Sequence, residues 1–124
     1  MLVSDKSYKD EATLLAKVVE WLEPQRRDGI KVLRVIDRYH KGYSDLFISA
    51  RGRFVVVELK DNTGTATPHQ ELFIKEMIES GATGGVCRSI KDVVELLEKA
   101  IYCQCTYLSA STKFCQKCGK ETKK

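Results

Sequence analysis

Long apolar runs are absent from this sequence, and none approaches the ~20 residues that a membrane-spanning helix needs. Residues 1–6 also lack the uninterrupted apolar segment of a signal peptide. We therefore expect an intracellular protein without membrane contact, cytoplasmic or nucleoid-associated, or a viral protein in its host cell. Internal repeats and low-complexity linkers are absent as well, and 124 residues support one small core. The formal charge of +4 is mild and permits many kinds of partner.

Cysteine is scarce in the first hundred residues and concentrated near the C-terminus. Cys87 stands alone in a β-like stretch, which favours a buried, inert thiol. The other four cysteines form two close pairs, and four cysteines are a common ligand set of a tetrahedral structural zinc site. Disulfides are the rival interpretation, disfavoured by a reducing compartment. The candidate zinc ligands are Cys103, Cys105, Cys115 and Cys118.

A domain boundary follows from this distribution of cysteines. Residues 103–124 are too few to bury a core of their own, so we expect a metal to hold them. We divide the chain into a domain over residues 1–102 and a zinc-binding tail over residues 103–124.

Apolar periodicity and turn residues predict the element order α-β-β-β-α-β-α, an α/β fold. The second helix has a strong start signal, with Thr67 as the cap, Pro68 at the first helical position and Gln70 three residues after the cap. Pro24 and Gly29 break the first helix. The predicted helices cover about 8–23, 68–80 and 90–102, and the predicted strands about 31–36, 46–48, 54–57 and 84–88.

Two apolar segments flank a short turn, and each ends in an acid. If Arg51 and Gly52 form a two-residue loop, Asp45 lies opposite Glu58 in an antiparallel hairpin. A register slipped by one residue would move one strand's side chains to the other face. Two carboxylates that meet at the end of a buried hairpin repel each other and lose solvation, so they need a cation to offset that cost. Lys60 lies on the same face of the sheet. Two acids and a lysine in one patch indicate metal-assisted hydrolysis of a phosphodiester.

Helix geometry selects two further polar residues. At about 100° per residue, Glu11 lies in the centre of the apolar stripe of the first helix, whereas Glu20 falls on the solvent side. Glu11 is either a functional group or a first-turn acid favoured by the helix dipole. Gln70 falls on the apolar stripe of the second helix, where a capping-box role and a functional role can hold together. His69 points away from that stripe, and we interpret it as a surface residue.

Basic residues crowd the segment that leads into Asp45. Such a patch is the electrostatic footprint of phosphate binding, and a solvated basic face without a ligand is the alternative. We expect this segment to grip nucleic-acid backbone without sequence preference. The candidate nucleic-acid-binding residues are Arg26, Arg27, Arg34, Arg38, His40 and Lys41.

In this element order, the chain resembles the PD-(D/E)XK nuclease superfamily, and in detail its VRR-NUC branch. The resemblance covers about residues 8–98 and implies a restriction-endonuclease-like αβββαβ core, a mixed sheet flanked by helices. Ser44 stands where the branch usually has proline, and Cys87-Arg88 where it often has paired basic residues. The tail lies outside this core, and its second cysteine pair resembles half of a zinc ribbon. The matching motifs are Gly42-Tyr43-Ser44-Asp45-Leu46, Val57-Glu58-Leu59-Lys60, Thr67-Pro68-His69-Gln70, Gly81 and Val86-Cys87-Arg88-Ser89.

The resemblance implies a divalent-metal endonuclease that hydrolyses DNA. Asp45 and Glu58 would bind one Mg²⁺ or Mn²⁺, with the backbone carbonyl of Leu59 as a further oxygen ligand. Lys60 would orient the attacking water and stabilise charge on the phosphate. Glu11 would coordinate a second ion or its waters. The candidate catalytic residues are Asp45, Glu58, Lys60, Gln70 and Glu11, with Gln70 holding water or the lysine.

Three functions remain open at this point. The stand-alone proteins of the branch are similar to homodimeric enzymes acting on branched DNA, so the leading expectation is a homodimeric, structure-selective endonuclease, such as a Holliday junction resolvase. The second is a nicking, flap-directed or less selective nuclease of the same fold that acts on DNA or RNA. The third is a nucleic-acid-binding module whose metal site is inactive, and the intact candidate residues argue against it.

Overall fold

A computed structural model of the chain describes residues 10–36, 44–102, 114 and 118–122. The described helices lack the length and apolar character needed to cross a membrane. The elements are α1 (Glu11–Leu22), a 3-10 helix (Glu23–Asp28), β1 (Ile30–Arg34), β2 (Leu46–Ala50), β3 (Arg53–Leu59), α2 (Pro68–Glu79), β4 (Thr83–Cys87) and α3 (Ile90–Ile101).

The four strands form one mixed sheet in the order β1-β2-β3-β4. β2 pairs antiparallel with both β1 and β3, and β4 pairs parallel with β3. At the β2–β3 turn φ is positive at both central residues, 50° at Arg51 and 83° at Gly52, the geometry of a type I′ turn. Ala50 therefore pairs with Arg53, as the two-residue loop predicted. The predicted α/β fold with a mixed sheet is confirmed.

The two faces of the sheet are covered by different helices. The main core lies between one face and the helices α1 and α3, and α2 packs on the other face against β3 and β4. Buried apolar residues follow the expected helical spacing in α1 at Leu14, Val18 and Leu22. Since α2 buries little beyond Ile74, much of its surface stays in solvent.

A glycine in β4 makes room for a side chain of β3. A Cβ built on Gly84 would lie 2.5 Å from Cγ2 of Val56, its partner in β3, and 3.4 Å from Cγ2 of Ile74 in α2. The first distance is shorter than side-chain packing tolerates, and the second is an ordinary contact. Glycine at this position therefore lets the Val56 side chain fit beside β4 on the face that α2 covers.

Several element boundaries differ from the sequence prediction, those of β1 among them. β1 begins at Ile30, one residue early, because Ile30 pairs with Ala50 and is buried. It ends at Arg34, and Ile36 is 78% exposed. The α-helix α1 ends at Leu22, just before Pro24, as predicted. A 3-10 helix follows, with Pro24 in its first turn and with Gly29 at its end at a φ of 82°.

Candidate active site

The β2–β3 hairpin brings the first two predicted acids together. Leu46 pairs with Val57, so Asp45, one residue before β2, lies opposite Glu58. Oδ2 of Asp45 accepts a hydrogen bond of 2.7 Å from the backbone N–H of Leu59. This bond fixes one carboxylate oxygen on β3 and leaves the other for a ligand.

Glu58 is the most buried member of the site, with no exposed surface. Its Oε1 accepts a hydrogen bond of 2.8 Å from Nε2 of Gln70 and lies 3.5 Å from Nζ of Lys60. Its Oε2 is buried without a hydrogen-bond partner among the described residues. Burial, followed by the charge of Asp45, raises the pKa of Glu58 to about 8. Without a cation the side chain therefore keeps its proton at neutral pH.

Glu11 reaches the same place from α1. The side chain of Asp10 caps this helix by accepting a hydrogen bond of 3.0 Å from the N–H of Ala12, which places Glu11 in the first turn. Burial is the largest reason that the pKa of Glu11 is raised. Glu20 lies exposed on the opposite side, 3.9 Å from Lys17. The predicted helix face is confirmed.

The three acids form a cluster that suits a divalent cation. One carboxylate oxygen from each of Glu11, Asp45 and Glu58 lies within 4.8 Å of the others. Carboxylate oxygens are the ligands that Mg²⁺, Mn²⁺ and Ca²⁺ prefer. The unpartnered Oε2 of Glu58 is the kind of buried acceptor that such an ion satisfies. The role of the Leu59 carbonyl stays a prediction.

Gln70 serves two purposes at once. Its backbone N–H donates to Oγ1 of Thr67 at 3.2 Å, and its Oε1 accepts from the Thr67 N–H at 2.9 Å, a complete capping box. Its Nε2 remains for Glu58. The amide thus ties the start of α2 to a metal-ligand candidate, and it holds the acid directly rather than Lys60. His69 is exposed, as predicted.

The N-termini of all three described α-helices lie at this end of the sheet. α1 contributes Glu11, and α2 contributes Gln70. α3 begins at Ile90, shortly after Cys87 pairs with Leu59 at the end of β4. Helix N-termini carry partial positive charge, which favours nearby carboxylates and phosphates. The fold thereby offsets part of the repulsion within the acidic cluster.

The predicted basic residues divide between opposite ends of the sheet. Arg34 pairs with Leu46, so it lies at the end that carries the acids. Arg26 and Arg27 lie in the 3-10 helix beside Gly29, whose carbonyl accepts from the N–H of Arg51 at the far turn. All three are exposed. Arg38, His40 and Lys41 lie outside the described residues.

Most of the predicted zinc site cannot be placed. Cys103, Cys105 and Cys115 lie outside the described residues, and Cys118 is exposed. Gly119 has a φ of 76°, consistent with the turn expected after the last ligand. Zinc binding therefore stays a prediction. Cys87 is buried, and burial raises the pKa of its thiol to about 12, as expected of an inert cysteine.

The described end of the tail attaches far from the acids. The N–H of Glu121 donates to the carbonyl of Ile101 at 3.2 Å, and Oε2 of Glu121 accepts from Nη1 of Arg51 at 3.2 Å. Nζ of Lys120 donates to the carbonyl of Lys99 at 3.2 Å. The tail thus contacts the end of α3 and the β2–β3 turn.

Arg88 contacts the site through an arrangement that the sequence did not reveal. It belongs to one of the matching motifs, but nothing in the sequence gave it a role. Its Nη1 donates to the carbonyl of Asp61 at 2.5 Å, next to Lys60. Parallel pairing of β3 with β4 was the missing information, because it sets the residues after Leu59 beside those after Cys87.

Comparison with known proteins identifies structures of similar fold. No family model matches the sequence, and no curated protein matches it. A solved structure described as a VRR_NUC domain is 28% identical with a TM-score of 0.58, covering 71% of this chain and 94% of that one. The chain is thus similar in sequence and fold to a VRR-NUC domain. A second structure, a VRR_NUC domain protein, has a TM-score of 0.60 at 22% identity, covers 77% of this chain and 89% of that one, and shows the same fold.

The similarity agrees with the residues that the site brings together. VRR-NUC is a nuclease family, and the two acids and lysine that matched its motifs meet at one end of the sheet. Most of the tail predicted to bind zinc lies outside the described residues.

Proposed function

We propose that this protein is a divalent-metal-dependent endonuclease of the VRR-NUC kind that acts on DNA. The observation that carries the proposal is the unpartnered, buried Oε2 of Glu58 within the cluster of three acids. A structural role for Glu58 would leave a costly unsatisfied polar group in the core. A ligand role satisfies it.

The chain's own residues have distinct tasks in this reaction. Asp45, Glu58 and Glu11 hold Mg²⁺ or Mn²⁺, which when bound polarises the phosphate and lowers the pKa of a bound water. Gln70 fixes Glu58 by its hydrogen bond of 2.8 Å. Lys60, 3.5 Å from Glu58, stabilises charge that develops on the phosphate and orients the attacking water. Since the carboxylates act as metal ligands and Lys60 as a cation in this scheme, water attacks the phosphate directly and no covalent enzyme intermediate forms.

Substitution at the site tests the chemistry. Lys60→Ala and Glu58→Ala should each lower kcat about 100-fold or more, with little loss of DNA affinity measured in EDTA. Glu11→Gln should impair cleavage, whereas Glu20→Gln is the matched control on the outer face of α1 and should cleave at the wild-type rate. Chelation should stop the wild-type reaction, and Mg²⁺ or Mn²⁺ should restore it. Full activity of both Lys60→Ala and Glu58→Ala would refute the assignment.

A branched substrate and a homodimer belong to the same proposal. Cutting two strands symmetrically needs two sites, and the described residues form one acidic cluster. A two-fold homodimer is the commonest way to duplicate a site. Cleavage should therefore favour a four-way junction over linear duplex, flap and RNA substrates. Light scattering should show a dimer at micromolar concentration, and a monomer both free and on DNA would favour a nicking or flap-directed nuclease.

A further inference from the structure

A continuous series of contacts joins Arg88 to Lys60. It begins with the hydrogen bond of 2.5 Å from Nη1 of Arg88 to the carbonyl of Asp61. The backbone N–H of Lys60 donates to the carbonyl of Cys87 at 3.1 Å, which extends the pairing of β3 and β4 past their ends. Arg88 therefore reaches across from the end of β4 to the residue directly after Lys60.

The side chain of Asp61 folds the next residues into a tight turn. Its Oδ1 accepts hydrogen bonds from the N–H of Thr63 at 2.9 Å, from Oγ1 of Thr63 at 3.1 Å and from the N–H of Gly64 at 2.6 Å. Such a turn is a common use of aspartate beside its own backbone. A Cβ built on Gly64 would lie 3.5 Å from Cδ of Lys60, so Gly64 of this turn lies close to the stem of the lysine.

Hydrogen bonds near the start of α3 hold the backbone of Arg88 in place. Its backbone N–H donates to Oδ2 of Asp92 at 2.9 Å, and the N–H of Asp92 donates to Oγ of Ser89 at 3.1 Å. These bonds fix Arg88 at the start of α3, and its side chain is partly buried. A rigidly held guanidinium can restrain the flexible stem of a lysine, which otherwise has several rotatable bonds.

We propose that Arg88 is a positioning residue for Lys60, acting through the Asp61–Gly64 turn. By holding the carbonyl of Asp61 it keeps the turn against the lysine stem and the ammonium beside Glu58. This inference rests on the proposed function, because it assigns Arg88 to the lysine of that site. If Arg88 instead contacted DNA directly, its replacement would weaken the binding of DNA.

Steady-state cleavage and DNA binding separate these roles. Arg88→Ala should lower kcat about 10- to 100-fold, since a displacement of about 1 Å of a catalytic group has effects of this size. KM, and the Kd for DNA in EDTA, should change less than about twofold. Arg88→Lys, which keeps a charge and a donor, should recover part of the loss. Arg53→Ala, at the other end of β3, is the control and should keep the wild-type kcat.

The turn supplies a second pair of variants should Arg88→Ala fail to fold. Asp61→Ala removes the acceptor of the turn and should lower kcat with an unchanged KM, whereas Asp61→Asn keeps an acceptor and should cleave near the wild-type rate. Hydrogen exchange gives a readout that does not depend on activity. In Arg88→Ala, the amides of Thr63 and Gly64 should exchange faster, and those of β2 should not change.

Failure of this inference is distinguishable from failure of the proposed function. A wild-type protein that cleaves no nucleic acid with any divalent metal overturns the proposed function. A wild-type enzyme that cleaves, together with an Arg88→Ala variant that keeps its kcat or weakens DNA binding as much as it slows cleavage, overturns only the role of Arg88. Unchanged exchange at Thr63 and Gly64 would overturn it as well.

Discussion

Glu58 carries the largest electrostatic cost at the scale of single residues. Its carboxyl group has no exposed surface, faces Asp45, and gains one amide donor and one ammonium. The hydrogen bond and the ammonium do not offset the cost of burying the charge, since the pKa of Glu58 is raised to about 8. A fold keeps such a group when another gain compensates, and a bound cation supplies one.

Stability of the metal-free protein should therefore depend on pH through Glu58. Between pH 4.5 and about 8 the folded protein keeps a proton that the unfolded chain has lost. The free energy of unfolding should fall as pH rises through this window, with a slope of at most about 1.4 kcal/mol per pH unit. Urea denaturation in EDTA at pH 5.5 and 8.5 measures the effect.

Glu58→Gln is the control for this dependence. The amide does not titrate, so the variant should lose much of the difference between the two pH values. Some dependence should remain, because the pKa of Glu11 is raised in the same direction. Equal slopes for the variant and the wild type would show that Glu58 titrates normally in the folded protein.

At the scale of elements, the β2–β3 hairpin and the parallel pairing of β3 with β4 position the site. The hairpin was predictable from the sequence, because the loop of Arg51 and Gly52 fixes the register that sets Asp45 opposite Glu58. The capping box at Thr67 and the inner face of Glu11 were local patterns too. The contact from Arg88 to Asp61 spans 27 residues and depends on strand order, which local patterns do not encode.

The packing of α2 gives a prediction at this scale. Gly84→Ala should destabilise the protein by about 1–3 kcal/mol, since its Cβ would lie 2.5 Å from Cγ2 of Val56 and displace that side chain on the face that α2 covers. The same shift should weaken the bond from Gln70 to Glu58 and lower activity. Gly85→Ala is the control, because its nearest contact would be an ordinary 3.5 Å to Leu96. Equal urea midpoints for the two variants would contradict this account of the packing.

At the scale of the whole molecule, different groups of residues lie at the two ends of the sheet. The acids, Lys60 and Arg34 lie at one end. The β2–β3 turn, the 3-10 helix and residues 118–122 lie at the other. β3 has seven residues, so the ends are about 20 Å apart. The described end of the tail therefore lies too far from the acids of its own chain to join their chemistry.

The tail should bind zinc and should be dispensable for hydrolysis. Purified protein should carry about one Zn²⁺ per chain, and removal of residues 103–124 should abolish this binding but leave the core folded. Some loss of stability is expected, because the Arg51–Glu121 ion pair and the bond from Glu121 to Ile101 disappear. Metal analysis and circular dichroism test this. Absence of zinc, or a disulfide in protein made in a reducing cytoplasm, would contradict the zinc assignment.

Separation of the basic residues predicts how binding depends on the length of DNA. A distance of about 20 Å corresponds to about six base pairs, at 3.4 Å per phosphate along a strand. Arg26 and Arg27 should therefore contact phosphates about six base pairs from the cleaved bond, whereas Arg34 contacts those beside it. Replacing both Arg26 and Arg27 with alanine should weaken binding to duplexes with long arms and leave binding to arms shorter than about six base pairs unchanged. Arg34→Ala should weaken binding to duplexes with long arms and to those with short arms. Titrations of DNA in EDTA over a series of arm lengths measure these losses. If the loss for the Arg26 and Arg27 variant is the same at every arm length, DNA does not extend along the sheet toward its far end.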